Sequence, residues 1–342
     1  MQSCRTADYT GLSAAVKCFT QRVDGSRVGN VEKTTTKALS EEIKAKARAL
    51  GFDAVGIAKA EPADPDGHLA RWLERGFAAD MDYMSRTANE RSDPSKLVEN
   101  ASSVIALSIS YYHPESEKEA PETGKVSRYA RSDDYHKVIR KKIRKLRKFI
   151  LTLVPEARIH PAVDTSPVLE RHWAEKAGIA WIGKSTMAIS QSLGTYTFLA
   201  TLITDLELTP DTAHVDRCGS CTACLDACPP KAFVAPYQLD SNKCITYWNV
   251  EHRKPLQDNT PDFAGWVAGC DICQEVCPWN KFAKASTEER FIPRPDLVSP
   301  DLLRLSQDPD YAEELIKGTS LQRTGVESMQ ANAKHVMSEK KK

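Results

Sequence analysis

The chain has 342 residues, 41% of them hydrophobic, enough for about two domains with cores of their own. Its 47 basic and 46 acidic residues leave a net charge of +1, so no global field advertises a nucleic-acid partner. No apolar run approaches the ~20 residues that cross a bilayer, which excludes a membrane-spanning helix and leaves no membrane partner expected.

Residues 1–36 mix Ser, Thr, Gly and scattered charge without an apolar period. Arg5, Lys17, Arg22 and Arg27 suit a targeting peptide, whereas Asp8, Asp24 and Glu32 do not. The segment reads as a disordered extension or an over-early start, with Cys4 and Cys18 as free thiols. A helix is expected over 37–50, with Leu39, Ile43, Ala47 and Leu50 on one face and Gly51 ending it. Residues 52–60 read as a strand, Leu69, Trp72 and Leu73 mark a short helix, and 103–111 form a buried strand. Residues 114–125 are a loop. From 137 to 148 eight Lys and Arg residues interleave with Ile139, Ile143 and Leu146 at helical spacing. That pattern fits an amphipathic helix with a solvated basic face, or a surface for nucleic-acid phosphates. Residues 158–163 form a strand leading into Asp164, after which Ser166 and Pro167 supply the N-cap and first turn of a helix through Glu175. Residues 185–190 and 195–206 suggest a hairpin around Gly194.

Eight of the ten cysteines follow in a dense block: Cys218, Cys221, Cys224 and Cys228 before Pro229, then Cys244, then Cys270, Cys273 and Cys277 before Pro278. The C-x2-C-x2-C-x3-C-P run is the spacing of bacterial ferredoxins, in which the fourth cysteine ligates the other of two [4Fe–4S] clusters. The second run lacks one cysteine, and Cys244 is available to replace it. One cluster is therefore expected on Cys218, Cys221, Cys224 and Cys277, and the other on Cys228, Cys244, Cys270 and Cys273. Two zinc sites would also use eight thiolates but gain nothing from two C-x3-C-P endings. Disulfides would imply secretion, and no secretory signal is visible, so a reducing cytoplasm is the expected location. The fold class is α/β (α+β): an α/β domain over 37–208, a ferredoxin-like two-cluster module over 209–290, and a short helical segment over 291–342.

Clusters deliver single electrons, so the preceding domain is expected to hold a substrate or a second cofactor. Asp164 is its best acid, ending a strand where a helix begins. As a proton donor it would need burial to raise its pKa from ~3.9; the alternative is a loop or capping residue. His160, His172 and Lys184 fit structural roles.

Several segments together identify the chain, over about residues 38–335, as similar to epoxyqueuosine reductases: 218–229, 270–280, Val163 to Arg171, Gly178 to Thr186, Thr204 to Leu208, Arg128 to His136 and Arg91 to Pro94. The resemblance implies reduction of the epoxide of epoxyqueuosine, at the wobble position of a tRNA, to the alkene of queuosine. It implies a cobalamin in the α/β domain, fed by two [4Fe–4S] clusters; the low-potential electron donor is unidentified, and a monomer is expected. Asp164 would match the family's acid. Arg91, Arg128, Lys184 and Thr186 would match the corrin pocket, and Thr246 and Asp271 would lie where cluster and corrin approach. Ser132 and Ser185 stand where relatives commonly have Gly and Asn. Asp134-x-His136 partly matches a cobalt-ligating motif, but Ile139 takes the place of its Gly, so no cobalt-ligating His is expected. Many relatives also carry C-terminal helical repeats that grip tRNA; here the basic helix, Arg253, Lys254 and Lys281 are the candidates. The competing readings are a reductive dehalogenase, which usually carries a twin-arginine signal, and a two-cluster electron carrier without catalysis.

Overall fold

The computed structural model describes residues 28–114, 120 and 122–340; the expected disorder of 1–27, and Cys4 and Cys18, lie outside them. The first helix, α1 (Val28–Ala49), begins nine residues before the expected start at Lys37, so 28–36 belong to an element rather than to an extension. Gly51, at φ 85°, ends the turn that follows it, a conformation for which a Cβ is a liability.

Four strands make the main sheet: β1 (Ala54–Lys59), β2 (Ser103–Ser110), β4 (Ile159–Ala162) and β7 (Thr197–Thr204), in the order β1-β2-β7-β4. Every neighbouring pair is antiparallel, so the domain takes the α+β form. Between β1 and β2 lie α2 (His68–Glu74), α3 (Asp82–Arg86) and α4 (Ala88–Ser92), and the short β3 (Lys125–Val126) follows β2.

All eight residues of β2 are buried, because both faces of the sheet are covered. Ile105, Leu107 and Ile109 meet Ile43 and Ala47 of α1 and Ile139, Ile143, Leu146 and Ile150 of α5 (Tyr135–Leu153). Val104 and Ala106, pointing the other way, meet Trp173, Ala174 and Ala177 around α6 (Glu170–Lys176). This two-sided burial explains the unbroken apolar run in the sequence.

Two expectations fail locally. The helix after β4 starts at Glu170, not at Ser166, and its N-cap, Leu169, offers no side-chain acceptor. Instead, Asp164 sits at φ 54° and its N–H donates to Oε1 of Glu170, so the chain makes a loop before helix can form. The expected hairpin around Gly194 also differs. β5 (Trp181–Ile182) pairs with β6 (Ala188–Ile189), while β7 leaves to pair with β2 and β4. Only a single bridge, Ser190 with Gly194, remains of it.

The cysteine-rich part carries α7 (Ala223–Ala227), the hairpin β8 (Phe233–Ala235) and β9 (Gln238–Leu239), β10 (Trp266–Ala268), which pairs with β3, and α8 (Ile272–Glu275). A third core follows, built from Trp266, Phe263 and Val267 against α9 (Pro295–Val298), α10 (Leu302–Gln307), α11 (Pro309–Ile316) and α12 (Val326–Glu339).

Candidate active site and electron-transfer centre

The N-terminus of α5 and the loop after β4 converge on one imidazole. Asp134 caps α5 by accepting the His136 N–H, and its Oδ1 also lies 2.8 Å from His136 Nδ1. The other ring nitrogen, Nε2, lies 3.0 Å from Oδ2 of Asp164. Tyr135 stacks on His136 with ring centroids 4.0 Å apart and on Phe198 of β7 at 4.2 Å, which fixes the imidazole plane. His136 is mostly buried, whereas 47% of the Asp164 side chain remains exposed on the open side.

The charges settle unlike the sequence expectation. Burial raises the Asp164 carboxyl, but the hydrogen bond and charge of His136, with smaller help from Tyr135 and Arg323, bring it below its ordinary value. Asp164 is therefore a carboxylate rather than an acid kept neutral by burial. Protons reside beside it. Burial lowers His136, yet Asp164 and Asp134 together raise it above its ordinary value. Burial and the Asp164 charge push Glu170 up to about 8. Asp134, His136 and Glu170 were not singled out as acid–base groups from sequence. Their signal was present in Asp134-x-His136 and in the Val163–Arg171 stretch, but only the fold brings the two together.

Arg91, on α4, donates from Nε to Thr87, lies 5.9 Å over the Tyr83 ring and has Asp164 and Glu170 among its charge neighbours. Arg323, paired with Glu251 at 2.8 Å, brings a further charge to the neighbourhood of Asp164 from the C-terminal segment. Thr186, at φ 62°, accepts Arg171 Nη1 at its carbonyl, 2.6 Å away, beside Glu170. Lys184 is placed elsewhere: its Nζ donates to the carbonyls of Gly219 and Cys221 at 2.6 and 2.9 Å, closing the first cysteine loop. Arg128 donates through Nη1 to the His113 carbonyl and lies over the Tyr112 and Tyr196 rings. Asp271 is fully buried and already engaged. It accepts Ser127 Oγ–H and the Arg128 N–H, each at 2.6 Å, and Gln274 Nε2 at 2.8 Å. It ties the second cysteine run to the segment after β3.

The thiols fall into two groups. Cys277 has Cys218, Cys221 and Cys224 as thiol neighbours, and these four line one cavity of about 260 Å³. Cys273 has Cys270, Cys244 and Cys228, with Thr246 hydrogen-bonded to Cys244. All eight are free thiols. Among the described residues no three His, Cys, Asp or Glu side chains converge closely enough to hold a single metal ion. Cys221 is exposed, and the second group is the deeper.

Two family models match: "Epoxyqueuosine reductase QueG, DUF1730" over residues 91–165 and "4Fe-4S double cluster binding domain" over 217–280. The epoxyqueuosine reductase of Cellulophaga algicola is 44% identical over 78% of this chain and 87% of its own length. This chain belongs to the epoxyqueuosine reductase family. The Pseudomonas aeruginosa epoxyqueuosine reductase is 40% identical over 84% of this chain and 82% of its own length. A crystal structure of an epoxyqueuosine reductase with a tRNA-Tyr epoxyqueuosine-modified stem loop superposes with TM-score 0.79. It is 29% identical, covering 89% of this chain and 82% of that one. The protein is accordingly an oxidoreductase with a double-cluster domain.

Proposed function

We propose that this enzyme reduces the epoxide of epoxyqueuosine in the wobble position of tRNA to queuosine, using cobalamin and two [4Fe–4S] clusters in the cytoplasm. The observation that carries the reading is the Asp164–His136 contact at 3.0 Å, with about half of the Asp164 side chain exposed and Arg91 and Arg323 as its charge neighbours. Both nitrogens of His136 are committed to carboxylates, which suits a corrin taken up without an imidazole ligand. Arg91 and Thr186 would border it, and Thr246 would stand between it and the deeper thiols. Cys218, Cys221, Cys224 and Cys277 would hold one cluster, and Cys228, Cys244, Cys270 and Cys273 the other. A bound cobalamin supplies a cobalt nucleophile for the epoxide carbon, and bound clusters supply single electrons.

The rest follows from the protein's own groups. Turning an epoxide into an alkene and water consumes two electrons and two protons. Asp164, ionised at rest, takes the first proton from His136 Nε2 and passes it to the opening oxygen, while Asp134 holds the other ring nitrogen and steadies the imidazolium. Glu170, protonated near neutrality and hydrogen-bonded to the Asp164 backbone, is the store for the second.

Among the described residues no helix is long and apolar enough to cross a membrane. The exposed face of α5 is the surface we assign to tRNA. Lys141, Arg144, Lys145 and Lys148 are exposed and make no ion pair among the described residues. Arg140 Nη2 donates to Thr165 Oγ1 at 2.7 Å, so that face runs up to the Asp164 loop. Of the other candidates, Lys254 is paired with Asp80 at 3.0 Å, Arg253 turns to the Thr324 carbonyl, and Lys281 lines the cavity of the first thiol group, so none of the three is assigned to tRNA.

The test is anaerobic reconstitution with iron, sulfide and cobalamin, followed by nucleoside analysis of tRNA from a complemented deletion strain. Queuosine replacing epoxyqueuosine is expected. Epoxyqueuosine that persists despite loaded clusters and corrin would reject the proposal.

A further inference from the structure

The rim of the outer thiol cavity differs from the rest of the surface. Of the seven large hydrophobic residues exposed on the molecule's described part, Val215 (64%), Val276 (38%) and Phe282 (51%) stand at or beside this one cavity. Phe282 lines it, Val276 adjoins Cys277, and Val215 is two residues from Arg217. Two cations share the rim: Arg217 and Lys281 line the cavity, are exposed, and make no ion pair among the described residues. Trp279, packed edge-on to Trp181 at 4.9 Å, forms a rigid floor. Exposed apolar side chains in one place mark a contact surface, and unpaired cations around them set the sign of what is attracted.

We infer that this rim is the docking surface for a small acidic one-electron carrier protein, which hands its electron to the outer cluster. The inference rests on the proposed cluster ligation. Three features favour an acidic protein over RNA. The patch is apolar at its centre, as protein interfaces are, with few cations at its edge. The denser cationic array, suited to phosphates, lies on α5. The outer thiols include the exposed Cys221, whereas no thiol of the second group is exposed, so a carrier seated here meets the more accessible end of the pair. Encounters of this kind use small interfaces held largely by charge, and rim charges act on association and its salt dependence. The step itself is the transfer of one electron: the carrier is oxidised by one unit, the cluster is reduced by one, and no bond is made or broken.

The experiment uses the reconstituted holoenzyme with two probes, a reduced acidic flavodoxin and a reduced acidic two-iron ferredoxin. Binding is measured by calorimetry at several salt concentrations, and cluster bleaching by stopped flow. Wild type should bind at least one probe, more weakly as salt rises. The double variant Arg217→Gln/Lys281→Gln should slow association roughly tenfold or more and flatten the salt dependence. Phe282→Ser should weaken binding without changing the salt slope. Both variants should keep wild-type iron content and wild-type epoxyqueuosine reduction when dithionite is the donor. Failure of wild type to bind either probe, or unchanged binding by the double variant, overturns the inference, as does a loss confined to tRNA affinity. Failure of wild type with dithionite would instead count against the proposed reaction, since carrier binding is read separately.

Discussion

At the scale of single residues, Asp164 carries the most specific consequence. It is a carboxylate supplied with protons by neighbours, not a carboxylic acid isolated by burial. Asp164→Ala should retain both cofactors spectroscopically and lose turnover by roughly 10²- to 10⁴-fold. A variant with wild-type turnover would place the proton source elsewhere. His136 has a raised folded pKa, so its charge and the stability it contributes are full below its ordinary value of 6.5 and are lost as pH rises through the higher folded one. Turnover should fall over that alkaline limb, and His136→Gln should both lower kcat and erase the limb. Glu170 has the same direction of shift but a different consequence. Its folded value of about 8 exceeds its ordinary 4.5, so the folded state binds more protons between those values and stability declines as pH rises across them. Glu170→Gln should flatten the dependence of Tm on pH between 5 and 8, as measured by thermal melts.

Individual elements show how the sheet domain and the cysteine module are joined. Gly194, at φ 71°, lies where an added Cβ would come 2.2 Å from Asn280 Oδ1. That oxygen accepts the Thr195 N–H at 2.7 Å, and Asn280 follows Cys277 by three residues. Gly194→Ala should therefore cost about 1–3 kcal/mol and loosen the loop carrying Cys277. Denaturant melts and iron retention would register both. On α5, replacing Lys141, Arg144, Lys145 and Lys148 with Gln should weaken tRNA binding and reduce its logarithmic salt slope by roughly 0.7–0.9 for each phosphate left without its cation. Helical content and core burial should stay as they are, because α5 packs through Val138, Ile139, Ile143, Leu146 and Ile150 on the opposite face.

Across the whole molecule, the two cysteine runs interlock. Cys277, from the second run, sits with the first three cysteines, and Cys228, from the first run, sits with the second group. Cys277→Ala and Cys221→Ala should therefore give the same spectrum and iron content, lacking the outer cluster alone. Cys228→Ala and Cys244→Ala should group together as a different pair. Iron analysis and low-temperature electron paramagnetic resonance of the four variants would distinguish this pairing from one cluster per run.

The amphipathic α5 and the buried β2 were readable because each is specified by a period in its own residues, 3.6 for the helix and an unbroken apolar run for a strand covered on both sides. The proposed cysteine partition draws on a similar signal, the spacing before each Pro, and the four cysteine variants test it. The start of α6 was misjudged because Ser166-Pro167 is a sound local cap signal that loses to the Asp164 N–H bonding Glu170. The partners of β7 were misjudged because strand pairing is settled between segments distant in sequence. So was the charge state of Asp164. Its neighbour His136 is 28 positions away, and a pKa is set by whatever charge, hydrogen bond and solvent the folded chain places around a group. Sequence alone determined the periods, the thiol spacing and the kind of chemistry; tertiary structure decided where the protons reside, because only packing brings those groups within hydrogen-bonding reach.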